Sequence, residues 1–455
     1  MISKTPLEDW ILKKISPKKD SSNLSRATIE NFQLEKIKET IAYARLKSPF
    51  YKKLLAGFGS NPVRSFQDLS ILPFTTSDDL KDQPMQFLCV SQSTIERCVT
   101  LQSSATTGSA KRIFFTKEDL EHTLDFFHHG MSTLVKAGDR VMILLPGDRP
   151  DSVGDLLSRA LLRINVNSIK HGFVTNPEKT LNDVLKDDIT CLVGTPVQIL
   201  ALFRCNKGKE NLKDRSMKVL LTTDYVPSII STVLENIYNC EVYSHYGMTE
   251  MGYGGGVECS ARCGHHMREA DLFIEIIDPK TGKILPDGEM GEIVLTTLNR
   301  IGMPLIRYRT GDMSRFLTNP CPCGTVLKRL DKIACRINSV VYLASGEPLF
   351  MPLLDEALFE LPDVMDFTAE LENKGDKDCL KIKLVLAAQA NDDEVCAAAM
   401  KKIKLIPQIE ASKKQLFIEP VKYISDLIIS SGTQKRTLSD NRKEQSYTSG
   451  EFEGI

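Results

Sequence analysis

The sequence predicts an α/β protein with a large N-terminal domain, built on doubly wound and mostly parallel sheets, and a small C-terminal α+β domain. Three observations indicate this fold class. Short apolar strands alternate with amphipathic helices between residues 97 and 244, which is typical of a parallel sheet covered on both faces. After residue 255 paired strand patterns with glycine turns replace the helices, and after about residue 335 helices and strands alternate again.

The elements of the first part follow from apolar spacing and turn residues. Apolar residues recur at helical spacing from residue 28, which predicts a helix over about 28–60. Thr76 or Ser77 can cap a short helix that follows. Further strands are predicted over 97–101, 140–145, 166–169, 190–194, 218–222 and 241–244, and further helices over 120–135, 156–164, 176–185 and 228–236. Ligands of such sheets bind at the carboxyl ends of the strands, where the loops near 103, 223 and 246 fall.

The later elements define a β-rich part and a separate C-terminal region. Hairpin strands are predicted over 272–278 and 291–296, inside a β-rich part of about 255–330. The C-terminal region is predicted to contain helices over 352–361 and 392–404 and strands over 364–371, 379–387 and 415–419. We place the boundary near residue 334, so that residues 1–334 form the N-terminal domain and residues 335–455 the C-terminal domain.

Composition argues against two classes of partner. The chain of 455 residues has a formal net charge of −1 and an isoelectric point near 6.7, so it offers no electrostatic reason to bind nucleic acid or an anionic membrane. No apolar run approaches the ~18 to 20 residues of a membrane span. The N-terminus lacks the apolar core of a signal peptide. We therefore expect a cytoplasmic protein.

Three segments carry the residue types that hold a nucleotide. One is the hydroxyl-rich loop 103–108, another ends in Asp312 after a glycine turn, and the third consists of Tyr246, Gly247, Met248, Thr249 and Glu250. An aromatic ring can stack on a base, and backbone N–H and hydroxyl groups can wrap phosphates. Carboxylates can bind a divalent cation or the two ribose hydroxyls. Together the segments predict a nucleotide held for chemistry at its phosphates.

A cluster of thiols and imidazoles predicts a metal site. Most of the 12 cysteines lie singly in apolar segments and are expected to be buried and reduced. The exceptions form two groups in the sequence: Cys259 and Cys263 beside His265 and His266, and Cys321 with Cys323. Tetrahedral zinc needs four such ligands, so the spacing alone leaves the choice among the six open.

With these segments in this order, the chain resembles the adenylate-forming superfamily, and within it the phenylacetate–coenzyme A ligase-like branch. The similarity runs over nearly the whole chain and is carried by residues 48–51, 72–76, 103–108, 246–252, 258–259, 276–278, 304–312 and 321–324. The last two stretches are highly specific to the branch. The resemblance implies a ligase that converts ATP, a carboxylic acid and coenzyme A into acyl-coenzyme A, AMP and pyrophosphate, with an aryl or arylacetic acid as substrate.

The resemblance also implies a role for each matching residue. The ATP phosphates are expected to lie against Ser103, Ser104, Thr106, Thr107 and Gly108. The adenosine is expected to lie against Tyr246, Gly247 and Met248, with Asp224 and Tyr225 at the adenine edge, Asp312 at the ribose hydroxyls and Arg336 at ribose or phosphate. Thr249 is expected to touch the α-phosphate, Glu250 to help hold Mg²⁺, and Lys435 to bridge the acyl carboxylate and the α-phosphate.

These residue types suit the reaction because the acid and the α-phosphate are both anionic and repel each other. Mg²⁺ and a lysine offset that repulsion where charge builds in the transition state, and losing one such contact typically costs roughly 10²- to 10³-fold in rate. The resemblance further implies that the C-terminal domain is mobile and rotates between the adenylation and thiol-transfer steps.

For the metal, the resemblance implies a zinc site formed by one cysteine, one histidine and a Cys-x-Cys pair. The matching residues are Cys259, His266, Cys321 and Cys323, with Cys263 or His265 as alternatives. Four protein ligands leave no coordination position for water, so we expect the zinc to be structural.

The chain departs from the family pattern at four places, and these motivate alternative functions. They are Ala105 for a glycine, Ser109 and Ala110 for a Lys-Pro pair with Lys111 one step later, Thr223 and Asp224 for a Gly-Glu pair, and residues 335–339 for a hinge with two acids. One alternative is an adenylating enzyme that passes the acyl or AMP group to another acceptor. The other is a weakened nucleotide-binding paralogue that acts as a scaffold. The acid and the oligomeric state, with a homodimer as one option, stay open.

Overall fold

The computed structural model of the chain describes residues 2–16, 23–60, 62–101, 110–205, 208–213, 215–424 and 435–442. The chain forms two compact units, each assembled from segments that are distant in sequence. The first unit comprises Met1–Gly138, Gly147–Asn167 and Tyr243–Lys332, and the second comprises Asp139–Pro146, Ser168–Val242 and Ile333–Ile455. The division into sequential domains at residue 334 stays a prediction.

Helices and strands alternate along the described ranges. The helices are α1 (Pro6–Ile15), α2 (Arg26–Lys47), α3 (Pro49–Leu54), α4 (Ser77–Asp82), α5 (Lys117–Met131), α6 (Val153–Leu162), α7 (Pro177–Lys186), α8 (Pro196–Arg204), α9 (Gly208–Leu212), α10 (Ser228–Asn236), α11 (Met351–Leu358), α12 (Asp392–Lys404) and α13 (Pro407–Ala411). The strands are β1 (Ile95–Leu101), β2 (Lys111–Thr116), β3 (Arg140–Ile143), β4 (Asn167–Lys170), β5 (Cys191–Gly194), β6 (Lys218–Leu221), β7 (Glu241–Tyr246), β8 (Gly256–Glu258), β9 (His265–Met267), β10 (Leu272–Ile277), β11 (Gly291–Thr297), β12 (Tyr308–Ser314), β13 (Arg329–Leu330), β14 (Cys335–Arg336), β15 (Val341–Tyr342), β16 (Pro348–Leu349), β17 (Val364–Lys374), β18 (Lys377–Leu386), β19 (Leu416–Ile418), β20 (Lys422–Tyr423) and β21 (Ser439–Asp440). The predicted α/β fold class is confirmed.

The first long helix is shorter than its apolar spacing predicts. The prediction of one helix over about 28–60 is wrong, because α2 ends at Lys47 and α3 begins at Pro49. Ser48 between them has an extended backbone (φ −89°, ψ 122°), and its side chain accepts a hydrogen bond from the N–H of Tyr51. Proline lacks an N–H and keeps the preceding residue out of the helical conformation, so the helix stops while the apolar pattern continues.

The first unit is built on antiparallel strands. β10, β11 and β12 form one sheet, in which Leu295 pairs with Ile274 on one side and with Tyr308 on the other. The end of β7 forms a second sheet with β8, β9 and β13, and in this sheet Val257 lies opposite His266. The two hairpin strands predicted for the β-rich part correspond to β10 and β11.

The second unit contains the parallel strands that the alternating pattern predicts. Cys191 in β5 pairs with Val141 in β3 on one side and with Lys218 in β6 on the other, both in parallel register. Near the C-terminus, β17 and β18 form an antiparallel hairpin, and β19, β20 and β21 join its two sides in parallel. Strand pairing of both kinds therefore occurs within this unit.

A buried helix holds the second unit together. Every residue of α8 is buried, as is usual for a helix that is apolar on all sides. Its last residue, Arg204, donates hydrogen bonds to the carbonyl oxygens of Phe359 (2.7 Å) and Val364, and burial lowers the pKa of its guanidinium to about 10. Residues from 142–242 and 343–438 thus share one core. Among the residues that the structure describes, no helix combines the length and the apolar composition needed to cross a membrane.

Candidate active site

Two residues predicted to contact the nucleotide meet in the first unit. Tyr246 ends β7 and Asp312 lies in β12, and the Tyr246 hydroxyl donates a hydrogen bond of 3.1 Å to Oδ2 of Asp312. Both side chains are buried, with residue exposures of 7% and 3%. Gly311 precedes Asp312 inside β12, and its φ of +76° suits a glycine. The predicted glycine turn is instead an irregularity in the pairing of β12 with β11. The structure therefore joins two distant segments in one buried polar group.

Gly247 is needed for close packing next to Tyr246. A Cβ atom at this position would lie 2.4 Å from the carbonyl oxygen of Tyr253 and 2.9 Å from the Cα atom of Gly254. Backbone atoms cannot move aside as a flexible side chain can, so a larger residue would push the two chain segments apart. The glycine holds the loop 247–254 folded back on itself, beside the end of β7.

The predicted magnesium ligand Glu250 lies in a buried ionic cluster. Residues Thr249–Met251 form a short 3₁₀ turn, and Glu250 is only 2% exposed. Its carboxylate pairs with the ammonium group of Lys111 and accepts a hydrogen bond of 3.0 Å from the Tyr308 hydroxyl. Burial by itself would raise the pKa of Glu250, but the charge and hydrogen bond of Lys111 outweigh it, so the pKa is lowered. Glu250 is therefore held as a carboxylate.

The backbone at Glu250 is also held, by a hydrogen bond from Arg300. The Arg300 guanidinium donates hydrogen bonds to the carbonyl oxygens of Glu250 (2.8 Å) and Phe114 (2.9 Å). Phe114 lies in β2, the strand that begins at Lys111. Arg300 thus joins the turn at Glu250 to the strand that carries its ion-pair partner, and it also stacks over the Phe115 ring at 4.4 Å.

Lys111 is the functional candidate that sequence reasoning missed. The resemblance places the usual lysine at position 109, two residues before Lys111, and implies no role for Lys111. The structure instead brings its ammonium group onto Glu250 and within 3.4 Å of the Tyr308 hydroxyl. The available signal was its place, a lone lysine directly after the hydroxyl-rich loop and at the start of an apolar strand.

The predicted metal ligands also lie together in the first unit. The Sγ and imidazole nitrogen atoms of Cys259, His266, Cys321 and Cys323 all lie within 4.8 Å of one another, and all four residues are buried. The Cys259 and Cys321 sulfurs are 3.6 Å apart, as are the Cys323 sulfur and Nε2 of His266. Zn–S bonds of ~2.3 Å in a tetrahedron put neighbouring donor atoms about 3.8 Å apart, so this donor set fits a zinc ion.

The two alternative ligands point to other partners. Nε2 of His265 is 2.9 Å from the Ser244 hydroxyl. The sulfur of Cys263 accepts a hydrogen bond of 2.9 Å from the Arg329 guanidinium, which also binds the Cys263 carbonyl.

Burial lowers the pKa of the predicted ligand His266 to about 4. Its imidazole is therefore neutral at pH 7, which is the form that binds metals.

Met248 lies in the first unit, and the remaining predicted site residues lie in the second unit or outside the described residues. Tyr225 donates a hydrogen bond of 3.1 Å to Glu356, and Asp224 accepts one from the backbone of Arg436. Lys435 is exposed, and Arg336 ends β14 in a half-buried position. The phosphate-loop candidates fall outside the described ranges, namely Ser103, Ser104, Thr106, Thr107 and Gly108.

Comparison with known proteins places this geometry in a family context. The family of AMP-binding enzymes matches residues 63–299 of the chain. A phenylacetate–coenzyme A ligase of Thermus thermophilus is 28% identical over 352 residues, which cover 75% of this chain and 78% of the relative. A phenylacetate–coenzyme A ligase of Aromatoleum evansii is 28% identical over 376 residues, covering 81% of this chain and 84% of the relative.

A solved structure of a coenzyme A ligase has the same overall fold as this chain. A 2-hydroxyisobutyryl-coenzyme A ligase, crystallised in a postadenylation state with an acyl-AMP, superposes with a TM-score of 0.76 at 18% identity. The superposition covers 92% of this chain and 91% of the solved chain. The match to the AMP-binding family ends at residue 299, so Asp312, the Cys321–Cys323 pair and Lys435 lie beyond it.

Proposed function

The chain belongs to the family of AMP-binding enzymes, and we propose that it joins a carboxylic acid to coenzyme A at the expense of ATP, through an acyl-adenylate. The main support is the hydrogen bond between Tyr246 and Asp312, which brings the adenine and ribose candidates into one buried group. The names of two relatives, both phenylacetate–coenzyme A ligases, support coenzyme A as acceptor and an aryl or arylacetic acid as substrate.

In this proposal each segment binds one part of ATP. The adenine lies against Tyr246, Gly247 and Met248, the ribose hydroxyls bind to Asp312, and Thr249 contacts the α-phosphate. The remaining contacts come from loop 103–108, Asp224, Tyr225 and Arg336. Asp312 is buried, and hydrogen bonds from the ribose hydroxyls to a carboxylate are charge-assisted, which makes them about twice as strong as neutral ones.

The first chemical step is attack by a carboxylate oxygen of the acid on the α-phosphorus. The bond to the bridging oxygen breaks, pyrophosphate leaves, and an acyl-adenylate forms. Lys435 offsets the repulsion between the two anions as they approach. In the second step the thiolate of coenzyme A attacks the acyl carbon, and AMP leaves. Mg²⁺, which Glu250 would hold, supplies positive charge at the phosphates.

We also propose that the cysteine and histidine cluster is a structural zinc site. Its four ligands are Cys259, His266, Cys321 and Cys323, and their compact donor geometry supports the assignment. Four protein donors leave no coordination position for substrate, so the ion would stabilise the β-rich part and take no part in the reaction. A cytoplasmic location and a homodimer remain predictions.

The decisive experiment is acid-dependent exchange of labelled pyrophosphate into ATP, measured with a panel of aryl, arylacetic and aliphatic acids. We expect exchange with at least one aryl or arylacetic acid, followed by thioester formation when coenzyme A is added. Exchange without thioester formation would favour another acceptor. Absence of exchange with every acid, together with measurable ATP binding, would favour the scaffold.

A matched pair of variants connects the activity to the site. Asp312→Asn should lower exchange at least ~10²-fold, because it removes the charge that binds the ribose. Asp278→Asn changes a half-buried acid of the same unit, whose carboxylate accepts a hydrogen bond from the N–H of Thr281 in a turn, and should keep exchange within about 2-fold of wild type. Equal effects of the two changes would count against the assignment of Asp312.

A further inference from the structure

The C-terminal segment 435–442 contains two adjacent cationic residues in opposite environments. Lys435 is exposed, whereas the side chain of Arg436 is only 7% exposed. The Arg436 guanidinium forms ion pairs with Asp355 (3.0 Å) and with Asp366. Asp355 lies in α11 and Asp366 in β17, so a single side chain binds two different elements of the second unit.

Aromatic packing encloses the same guanidinium. Its central carbon lies 4.7 Å from the ring centre of Phe367 and 5.3 Å from that of Phe359. Cation–π contacts of this kind strengthen when the cation is removed from water. A planar guanidinium is needed because an ammonium group could not reach both carboxylates while lying over two rings.

The backbone of Arg436 is bound to a different part of the unit. Its N–H donates a hydrogen bond of 3.2 Å to Oδ2 of Asp224. The loop that begins at Asp224 is also held by Glu356 of α11, whose carboxylate accepts hydrogen bonds from the Tyr225 hydroxyl and from the N–H of Ser228. The loop and the C-terminal segment are thus both attached to α11.

The rest of the segment is fixed by a strand pairing. Leu438 is 5% exposed and belongs to the core of the unit. β21 pairs in parallel with β17 through Ser439 and Glu370, and the N–H of Asn441 donates to the carbonyl of Leu371 at 2.8 Å. The strand therefore holds the far end of the segment, and Arg436 holds the end that carries Lys435.

We propose that Arg436 is a positioning residue for the adenylation step, because it fixes the backbone beside Lys435 against the loop that begins at Asp224. This inference rests on the proposed function, in which Lys435 and the loop both act on ATP. Lys435 keeps a long and exposed side chain, so its ammonium group stays free to turn while its backbone is held. A fixed backbone limits the positions that the ammonium group of Lys435 can adopt before the reaction, which lowers the entropic cost of placing it correctly.

The first test separates the two half-reactions. In R436Q we expect kcat for pyrophosphate exchange to fall about 30-fold while the KM for ATP stays within ~3-fold, because positioning affects the transition state more than binding. Attack of coenzyme A on supplied acyl-adenylate should stay within ~3-fold. In R436K, which keeps the charge but loses the planar group that bridges Asp355 and Asp366, kcat for pyrophosphate exchange should fall about 5-fold.

The matched control is Arg442, a second arginine of the same segment. It is 12% exposed and forms ion pairs with Asp378 (3.0 Å) and Asp440 (2.6 Å), away from Asp224. R442Q removes the same charge and should keep exchange within ~3-fold of wild type. The proposal would be overturned if R436Q lowered the rates of both half-reactions by the same factor. It would also be overturned if R436Q and R442Q lowered the rate of pyrophosphate exchange equally.

A second test does not depend on activity. Hydrogen exchange of the backbone amides in residues 435–438 should be at least ~10-fold faster in R436Q than in wild type and unchanged in R442Q. Unchanged protection in R436Q would overturn the proposal even if the enzyme is active. Faster hydrogen exchange in R436Q, combined with a wild-type protein that adenylates no acid, would instead refute the proposed function. It would leave the inferred attachment of the segment intact. If R436Q does not fold, R436K is used in both tests.

Discussion

The ion pair between Lys111 and Glu250 can be tested by replacing each partner alone and both together. Glu250→Gln keeps the shape of the side chain and removes its charge, and Lys111→Met keeps most of the apolar stem and removes the ammonium group. In the native protein the side chain of Lys111 is 14% exposed and that of Glu250 is 2% exposed. Either single change therefore leaves one charge buried without its opposite.

The expected magnitudes follow from this burial. Removing one member of a buried ion pair typically costs about 3–5 kcal/mol, while replacing both members by neutral groups is often close to neutral. We expect about 3 kcal/mol for each single variant, the lower end, because Tyr308 still offers a hydrogen bond at this point. The double variant should also lose about 3 kcal/mol of unfolding free energy or less, which gives a coupling energy of about 3 kcal/mol or more.

The assay is urea unfolding followed by the fluorescence of Trp10. This residue is the single tryptophan of the sequence, it is 4% exposed, and its ring stacks on His129 with centroids 5.4 Å apart. Trp10 and the ion pair both lie in the first unit, so its fluorescence reports the unit in which the change is made.

The reasoning is refuted if the loss in the double variant equals the sum of the single losses within about 0.5 kcal/mol, because independent sites add. The pair formed by Lys81 and Asp78 is the matched control in the same unit. Its side chains are 28% and 79% exposed, and exposed pairs contribute little. Lys81→Met should therefore change the free energy of unfolding by less than ~0.5 kcal/mol.

Four further predictions concern the nucleotide, the metal and the second unit. Asp312→Asn should weaken ATP binding about 10- to 100-fold in a calorimetric titration, the range for losing one or two charge-assisted hydrogen bonds, and a change below ~2-fold would contradict its role at the ribose. Protein purified without added metal should contain about one zinc per chain by elemental analysis, and Cys323→Ser should lower this below ~0.2; wild-type protein without zinc would exclude the site. Thr223 has a φ of +77°, which a β-branched residue adopts at a cost, so Thr223→Gly should raise the free energy of unfolding by about 0.5–1 kcal/mol, and a loss would show that the threonine is not strained. Burial raises the pKa of Asp355 from 3.8 to about 7, with the charges of Asp224 and Asp366 acting in the same direction against Arg436. The folded state then binds a proton that the unfolded chain has released, so the free energy of unfolding declines as pH rises from about 4 to 7. Asp355→Asn should remove that slope from urea unfolding measurements made between about pH 4 and 7, and an unchanged slope would contradict the assignment.

Much of the fold could be predicted from local patterns. β3 and β5 lie within the apolar runs that predict strands over 140–145 and 190–194, and α12 has its predicted range of 392–404. The break at Pro49 was missed because apolar spacing reports which side of the chain is buried and continues across a capped break.

The family could also be recognised from the sequence, and its match to residues 63–299 confirms the resemblance. The roles of individual site residues stay predictions. Two of the four departures from the family pattern, which involve three residues, acquire a physical meaning only in the folded chain. Lys111 binds Glu250, Thr223 adopts a left-handed backbone, and Asp224 accepts a hydrogen bond from Arg436.

By itself the sequence determined the order of the elements, the fold class, the family and six candidate metal ligands. Only the tertiary structure decided which of the six converge, since Cys263 turns to Arg329 and His265 to Ser244 while the other four face one another. Likewise only the fold showed that Arg436 is buried and Lys435 exposed. The physical reason is that spacing along the chain reports local conformation, whereas side-chain partners are determined by the packing of distant segments. Asp224 and Arg436, for example, lie 212 residues apart, and no local pattern encodes such a contact.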